Sequence, residues 1–158
     1  MNVVYHCYGG THSSVLAAAL HTGMISHRRP PESGRLISLP FLDTQDGDNH
    51  GKLYFFGIDE GGNKVYILGR RRDAEALTLI LDGAVSADRQ TVKNNPAQGV
   101  LLVNALPCVP VLLKVGGYIS RRFKFTRLGR PLVYAGLRRA YPRLRELVYR
   151  VKQETCET

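Results

Sequence analysis

The sequence predicts an α/β protein: a central mixed sheet flanked by helices, with one antiparallel hairpin and a helical, basic C-terminal region. Three observations point that way. The β-branched and aromatic run at residues 3–7 passes through Gly9-Gly10 into an apolar helical stretch at 13–23. Two aromatic and β-branched runs, 52–58 and 64–68, flank Asp59-Glu60-Gly61-Gly62-Asn63, the pattern of a β-hairpin. From Pro131 to about Lys152, Leu137, Tyr141, Leu144, Val148 and Val151 recur at helical spacing, while Arg138, Arg139, Arg143, Arg145, Arg150 and Lys152 fall away from that stripe.

The remaining elements follow in order. Residues 26–34 are rich in Arg, Pro and Ser and read as an exposed loop; a short helical turn is expected at 35–41 and a polar loop at 43–50. Asp73 caps a helix whose Leu77, Ile80, Leu81, Ala84 and Val85 share one face. Residues 99–104 form a short, continuous apolar run suited to a buried strand. Pro107 and Pro110 introduce the next helix, 121–127 reads as an edge strand, and Pro142 is expected to divide or kink the last helix.

Length and composition fit one domain, residues 1–158, with 44% apolar residues and no run near the roughly 20 needed to span a bilayer. The N-terminus has no basic stretch ahead of its apolar run, and Cys7, Cys108 and Cys156 are widely spaced and odd in number. Both features point to a reducing, cytoplasmic setting without a disulfide framework, and no membrane partner is expected. His6, Cys7 and His12 are near one another in sequence, but neighbours on a strand point to opposite faces, so no metal site is expected. The net charge of +9 is concentrated at the end: residues 1–110 hold ten Lys/Arg and ten Asp/Glu, residues 111–158 twelve Lys/Arg and three acids.

The chemistry-bearing stretch is 7–14. Glycines permit a tight turn, and a helix N-terminus presents backbone N–H groups without intrahelical acceptors, an arrangement that holds anions. Gly9, Gly10, Thr11, Ser13 and Ser14 are therefore the expected anion-binding residues, with Arg130 as the basic C-terminal residue to test first, and Cys7 and His12 are the catalytic candidates. The bland alternative is a tight structural turn in which Thr11 or Ser13 is the N-cap and Cys7 a small core residue. The nucleotide motif Gly-x-x-x-x-Gly-Lys-Ser/Thr does not occur; His12 precedes Ser13-Ser14 where a lysine would stand.

Cys7 at a strand end, followed by a glycine turn and a helix, resembles the Cys-x5-Arg-Ser/Thr phosphate loop of low-molecular-weight tyrosine phosphatases. Ser13 occupies the arginine position and Ser14 the Ser/Thr position. The missing guanidinium would have to be replaced by Arg121, Arg122, Arg127, Arg130 or a protonated His12. With Val-Val-Tyr-His-Cys-Tyr-Gly-Gly-Thr-His-Ser-Ser at 3–14, Tyr-Phe-Phe-Gly-Ile-Asp-Glu-Gly-Gly-Asn-Lys-Val-Tyr-Ile-Leu-Gly at 54–69 and Leu-Gly-Arg-Pro-Leu-Val at 128–133, the chain resembles over nearly its full length a family of small bacterial proteins of unknown function, found mainly in Firmicutes. That resemblance implies a cytoplasmic bacterial protein and carries over no activity or site residues.

The expected function is binding of a phosphate-containing small molecule or nucleotide, with phosphoryl transfer or phosphate-ester hydrolysis as the reaction class and Mg²⁺ as cofactor if the ligand is a nucleotide. The alternative is a non-enzymatic regulatory or adaptor protein that binds nucleic acid or an acidic partner through its basic C-terminal face.

Overall fold

The computed structural model describes residues 1–43, 51–70, 99–110 and 126–156, with side chains described in the last segment from 131 onward. Four strands form one sheet: β1 (Asn2–Cys7), β2 (Leu53–Ile58), β3 (Lys64–Gly69) and β4 (Val100–Asn104). Their order is β2-β3-β1-β4. β1 runs parallel to β3, with Val3 opposite Val65 and Cys7 opposite Gly69, and parallel to β4, with Asn2 opposite Val100. β2 is the antiparallel edge of the β2–β3 hairpin, irregular between Phe55 and Gly57. The expected mixed α/β sheet with one hairpin is thus present.

Strand alternation divides the sheet into two faces. Val3 and Tyr5 of β1 and Val65 and Ile67 of β3 join the main core, while Val4 and Leu68 form a smaller cluster with Leu53, Tyr66, Val100 and Leu102 on the other face. Residues Val3 to Cys7 are all buried, as a central strand covered on both faces requires.

Helix α1 (Ser13–His21) follows the glycine turn, and all nine of its residues are buried. Ala17, Ala18 and Ala19 let it sit close between the sheet and the last helix. The expected turn near 35–41 is helix α2 (Ser33–Ile37), which starts two residues earlier and ends before Pro40. Helix α3 (Thr126–Cys156) is 31 residues long, roughly 46 Å at 1.5 Å per residue.

Two expectations are corrected on α3. It begins before Pro131, so Thr126 and Arg127 belong to a helix and not to an edge strand. Pro142 does not divide it into two helices. The ring stands on the exposed side, where water can satisfy the carbonyl one turn earlier, and Val133, Leu137, Ala140, Tyr141, Leu144, Val148 and Val151 keep the opposite side buried. Packing of that stripe outweighs one lost hydrogen bond. All but Asp43 of the expected loop at 43–50, the helix capped by Asp73, the helix after Pro110 and positions 121–125 lie outside the described residues.

Three contacts tie distant segments to this frame. The Tyr141 hydroxyl donates to the Ser26 carbonyl at 2.7 Å, Arg145 reaches the His27 carbonyl at 3.4 Å, and Lys152 pairs with Glu60 at 2.6 Å. No helix among the described residues is long and apolar enough to cross a membrane.

Candidate functional site

β1 is the central parallel strand, flanked by β3 on one side and β4 on the other. The chain after it turns into α1 and reaches β3, and the chain after β3 crosses to β4 on the far side of β1. The strand order therefore reverses about β1, and residues 7–14 lie at its carboxyl end, where open α/β sheets bind their ligands.

The turn is set by backbone proximity. Gly10 has φ of +73°, and a Cβ on it would stand 2.6 Å from the Gly69 backbone nitrogen. Gly69 is under the same constraint from the other side, since its own Cβ would meet the Gly9 carbonyl carbon and oxygen at 2.8 Å. The loop therefore rests on the end of β3 with no space for side chains between.

This folding wraps the loop around the Cys7 sulfur. The Gly10 amide donates to Cys7 Sγ at 3.2 Å, and Ser14 Oγ lies 3.3 Å from it. Burial alone would push this thiol up, but hydrogen bonds from the Ser14 hydroxyl and backbone, the Ser13 hydroxyl and the Gly10 amide outweigh it and hold the thiol below its ordinary value. The N-terminus of α1 adds positive potential at the same place. Cys108, by contrast, is pushed up by burial.

The N-cap is His12, not Thr11 or Ser13, and no side chain caps the helix. Ser13 and Ser14 are already the first helical residues, and their hydroxyls turn toward the thiol. Thr11 accepts the Asp43 amide through its carbonyl at 3.1 Å, and His12 Nε2 lies 3.4 Å from Asp43 Oδ1 with both side chains nearly buried. Asp43 holds a positive φ of 54° at this position.

Of the expected site residues, Cys7, Gly9, Gly10, Thr11, His12, Ser13 and Ser14 thus form one continuous loop, with Cys7, Gly10, Ser13 and Ser14 converging on the sulfur. Arg130 lies near the start of α3, and its side chain is outside the described residues. Asp43 was not legible: it lies 31 positions from His12, inside a polar stretch that reads as a loop. Among the described residues, no group of three His, Cys, Asp or Glu side chains is placed to hold a metal ion.

His6 and Arg70 also stand at the carboxyl end of these strands. Among the described residues, His6 Nδ1 and Arg70 Nε are buried with no hydrogen-bond partner. Such an atom costs about 1–3 kcal/mol when left unpaired, so two of them together call for a reason. Burial, with a contribution from the Arg70 charge, lowers the His6 pKa to about 4.

The state of Cys7 can be read directly. In a protein carrying Cys108→Ser and Cys156→Ser, ultraviolet thiolate absorbance should titrate below the ordinary cysteine range, and Ser14→Ala should move the midpoint upward. A midpoint unmoved by Ser14→Ala would show that the Ser14 bond does not stabilise the thiolate.

Comparison with curated proteins found no match, and comparison with solved structures found none. A family model for proteins of unknown function, DUF3189, matches residues 2–153. It takes in every described strand and all of the 7–14 loop. The chain therefore belongs to the DUF3189 family of proteins of unknown function.

Proposed function

We propose that residues 7–14 bind the phosphate group of a small phosphate ester, and that Cys7 is the nucleophile in its hydrolysis. The observation that carries this reading is the cradle on Cys7 Sγ, where amide and hydroxyl donors stabilise a thiolate at the end of the central strand. A cysteine serving only as a small core residue has no need of them.

In this reading the Cys7 thiolate attacks phosphorus. The S–P bond forms as the P–O bond to the alcohol breaks, and His12, in its protonated form and paired with Asp43, gives its proton to the leaving oxygen. Water then hydrolyses the cysteinyl phosphate, returning its proton to His12 and leaving a thiolate and inorganic phosphate. Amides of the loop and of the first turn of α1 hold the non-bridging oxygens. Ser13 stands where the phosphatase-type loop carries arginine, so recognition rests on these amides and on His12.

A thermal-shift panel of inorganic phosphate, sugar phosphates and nucleotides with and without Mg²⁺ tests the binding step. A ligand at a hundred times its Kd stabilises by about 2.7 kcal/mol, a rise of roughly 5–10 °C for a chain of this size. The rise should shrink in His12→Ala, and Cys7→Ser should abolish phosphate release from the ester that binds best while leaving binding in place. Absence of a shift with every anion would overturn the reading. It would then favour the adaptor alternative, for which the exposed Arg138, Arg139, Arg143, Arg145 and Arg150 of α3 and the nearby Arg28 and Arg29 supply the basic surface.

A further inference from the structure

We propose a second oxyanion subsite, formed by His6 and Arg70 on the face of the sheet opposite Cys7, which takes a carboxylate or phosphate group of a ligand. The placement follows from the register. His6 lies opposite Leu68 in the parallel β1–β3 pair, and Arg70 follows β3 by one residue, its amide donating to the Cys7 carbonyl at 3.0 Å. That bond carries the β1–β3 ladder one residue past the strand end. Alternation then puts the His6 and Arg70 side chains on the face of Val4 and Leu68, away from Tyr5 and the α1 core.

Both side chains present nitrogen atoms that the fold leaves unused. His6 is 7% exposed, and its Nδ1 has no partner; Arg70 Nε is buried and has none either. Neutral imidazole can carry its proton on Nδ1, and a guanidinium Nε always carries one, so the pair can present two N–H donors beside a fixed positive charge. An oxyanion accepts both, and none of the neutral hydrogen-bonding side chains offers a matching charge. On the other flank the Ala105 amide donates to the His6 carbonyl at 2.9 Å, so β4 also holds the His6 backbone in place.

Burial and the Arg70 charge both disfavour imidazolium at His6, and a bound oxyanion would offset the second of these. The subsite does not depend on Cys7 being a nucleophile.

The experiment is an NMR titration of the His6 ring in the full chain, with sodium phosphate in one series and sodium acetate in the other. It is run on wild type, His12→Ala, Arg70→Gln and Arg70→Lys. In wild type and His12→Ala the ring signals should move saturably, the titration midpoint of His6 should rise by about one unit or more, and Arg70→Gln should abolish both responses. Arg70→Lys keeps the charge without the Nε donor and should weaken binding about tenfold; it replaces Arg70→Gln if that variant fails to fold. The series that saturates at lower concentration identifies the group as phosphate or carboxylate. His6 signals that ignore both anions, or that respond equally without Arg70, would overturn the subsite. A phosphate response at the Ser13 and Ser14 amides with none at His6 would sink this proposal alone and leave the Cys7 loop standing.

Discussion

Gly10→Ala should lower the melting temperature by roughly 5–15 °C and abolish any stabilisation by phosphate. The left-handed backbone costs an L-residue about 1–2 kcal/mol by itself, and here φ is +73°. The added carbon would also stand 2.6 Å from the Gly69 nitrogen and 2.9 Å from its Cα, both backbone atoms of a paired strand. Neither can rotate away, so the loop must lift off β3. A total of about 2–4 kcal/mol is expected, and a chain of this size loses about 2–4 °C per kcal/mol. Gly23→Ala is the natural control: φ there is +74°, but nothing lies within 4 Å of its Cβ position, so only the backbone term applies. Equal melting temperatures for the two variants would show that the close approach of loop and strand does not constrain the protein.

The second large effect is acid lability. His6 and His21 are both buried, and burial is the leading cause that lowers each pKa below the ordinary 6.5. The unfolded chain then binds more protons than the native one as pH falls below 6.5, so stability is present above that value and declines below it. For His6 the decline continues to about pH 4, which amounts to about 3 kcal/mol.

His21 adds to this through a buried network. Asp59 can only accept, so His21 Nε2 carries the proton toward Asp59 Oδ2 at 3.0 Å, and Nδ1 accepts the Tyr5 hydroxyl at 2.7 Å. Glu60 and Lys152, the other charges acting on this ring, act in opposite directions. Asp59 in turn accepts from the Asn63 and Gly61 amides and from Asn63 Nδ2, and Asn63 Oδ1 accepts from the Met1 ammonium at 3.0 Å. Burial opposes ionisation of Asp59, but these bonds and His21 outweigh it and hold the carboxyl low, so its share is lost only below about pH 3.8. Urea unfolding at pH 7, 5.5 and 4 in phosphate-free buffer measures the slope, and His6→Leu should flatten the part between pH 6.5 and 4. A stability independent of pH over that window would mean that neither imidazole is kept neutral by the fold.

The β1–α1 unit, the hairpin and β4 were legible because each is specified within a few residues. Branched and aromatic residues at 3–5 and 65–67, glycines at 9–10 and 61–62, and the apolar run at 100–103 act on their immediate neighbours. The candidate loop was legible for the same reason, since strand end, cysteine, glycine turn and helix N-terminus are contiguous at 7–14. Pro142 does not end the helix as one of its two expected effects would have it, because the local penalty for proline is visible in the sequence, while the buried stripe that outweighs it acts only when α3 packs on α1 and the sheet.

Residue pairs across the fold follow another rule. Asp43 beside His12, Asp59 against His21, and Arg70 on the face of His6 join positions 31, 38 and 64 residues apart. No spacing in a linear pattern announces them. They exist because the order β2-β3-β1-β4 puts the end of β3 next to the end of β1 and brings the hairpin turn to α1. Local periodicity and turn chemistry thus sufficed to name the four described strands, α1 and the loop, because backbone sterics and side-chain alternation act over a few bonds. Which charges and donors surround Cys7, His6 and His21 depended on strand order and burial, which the chain acquires only when its elements pack together.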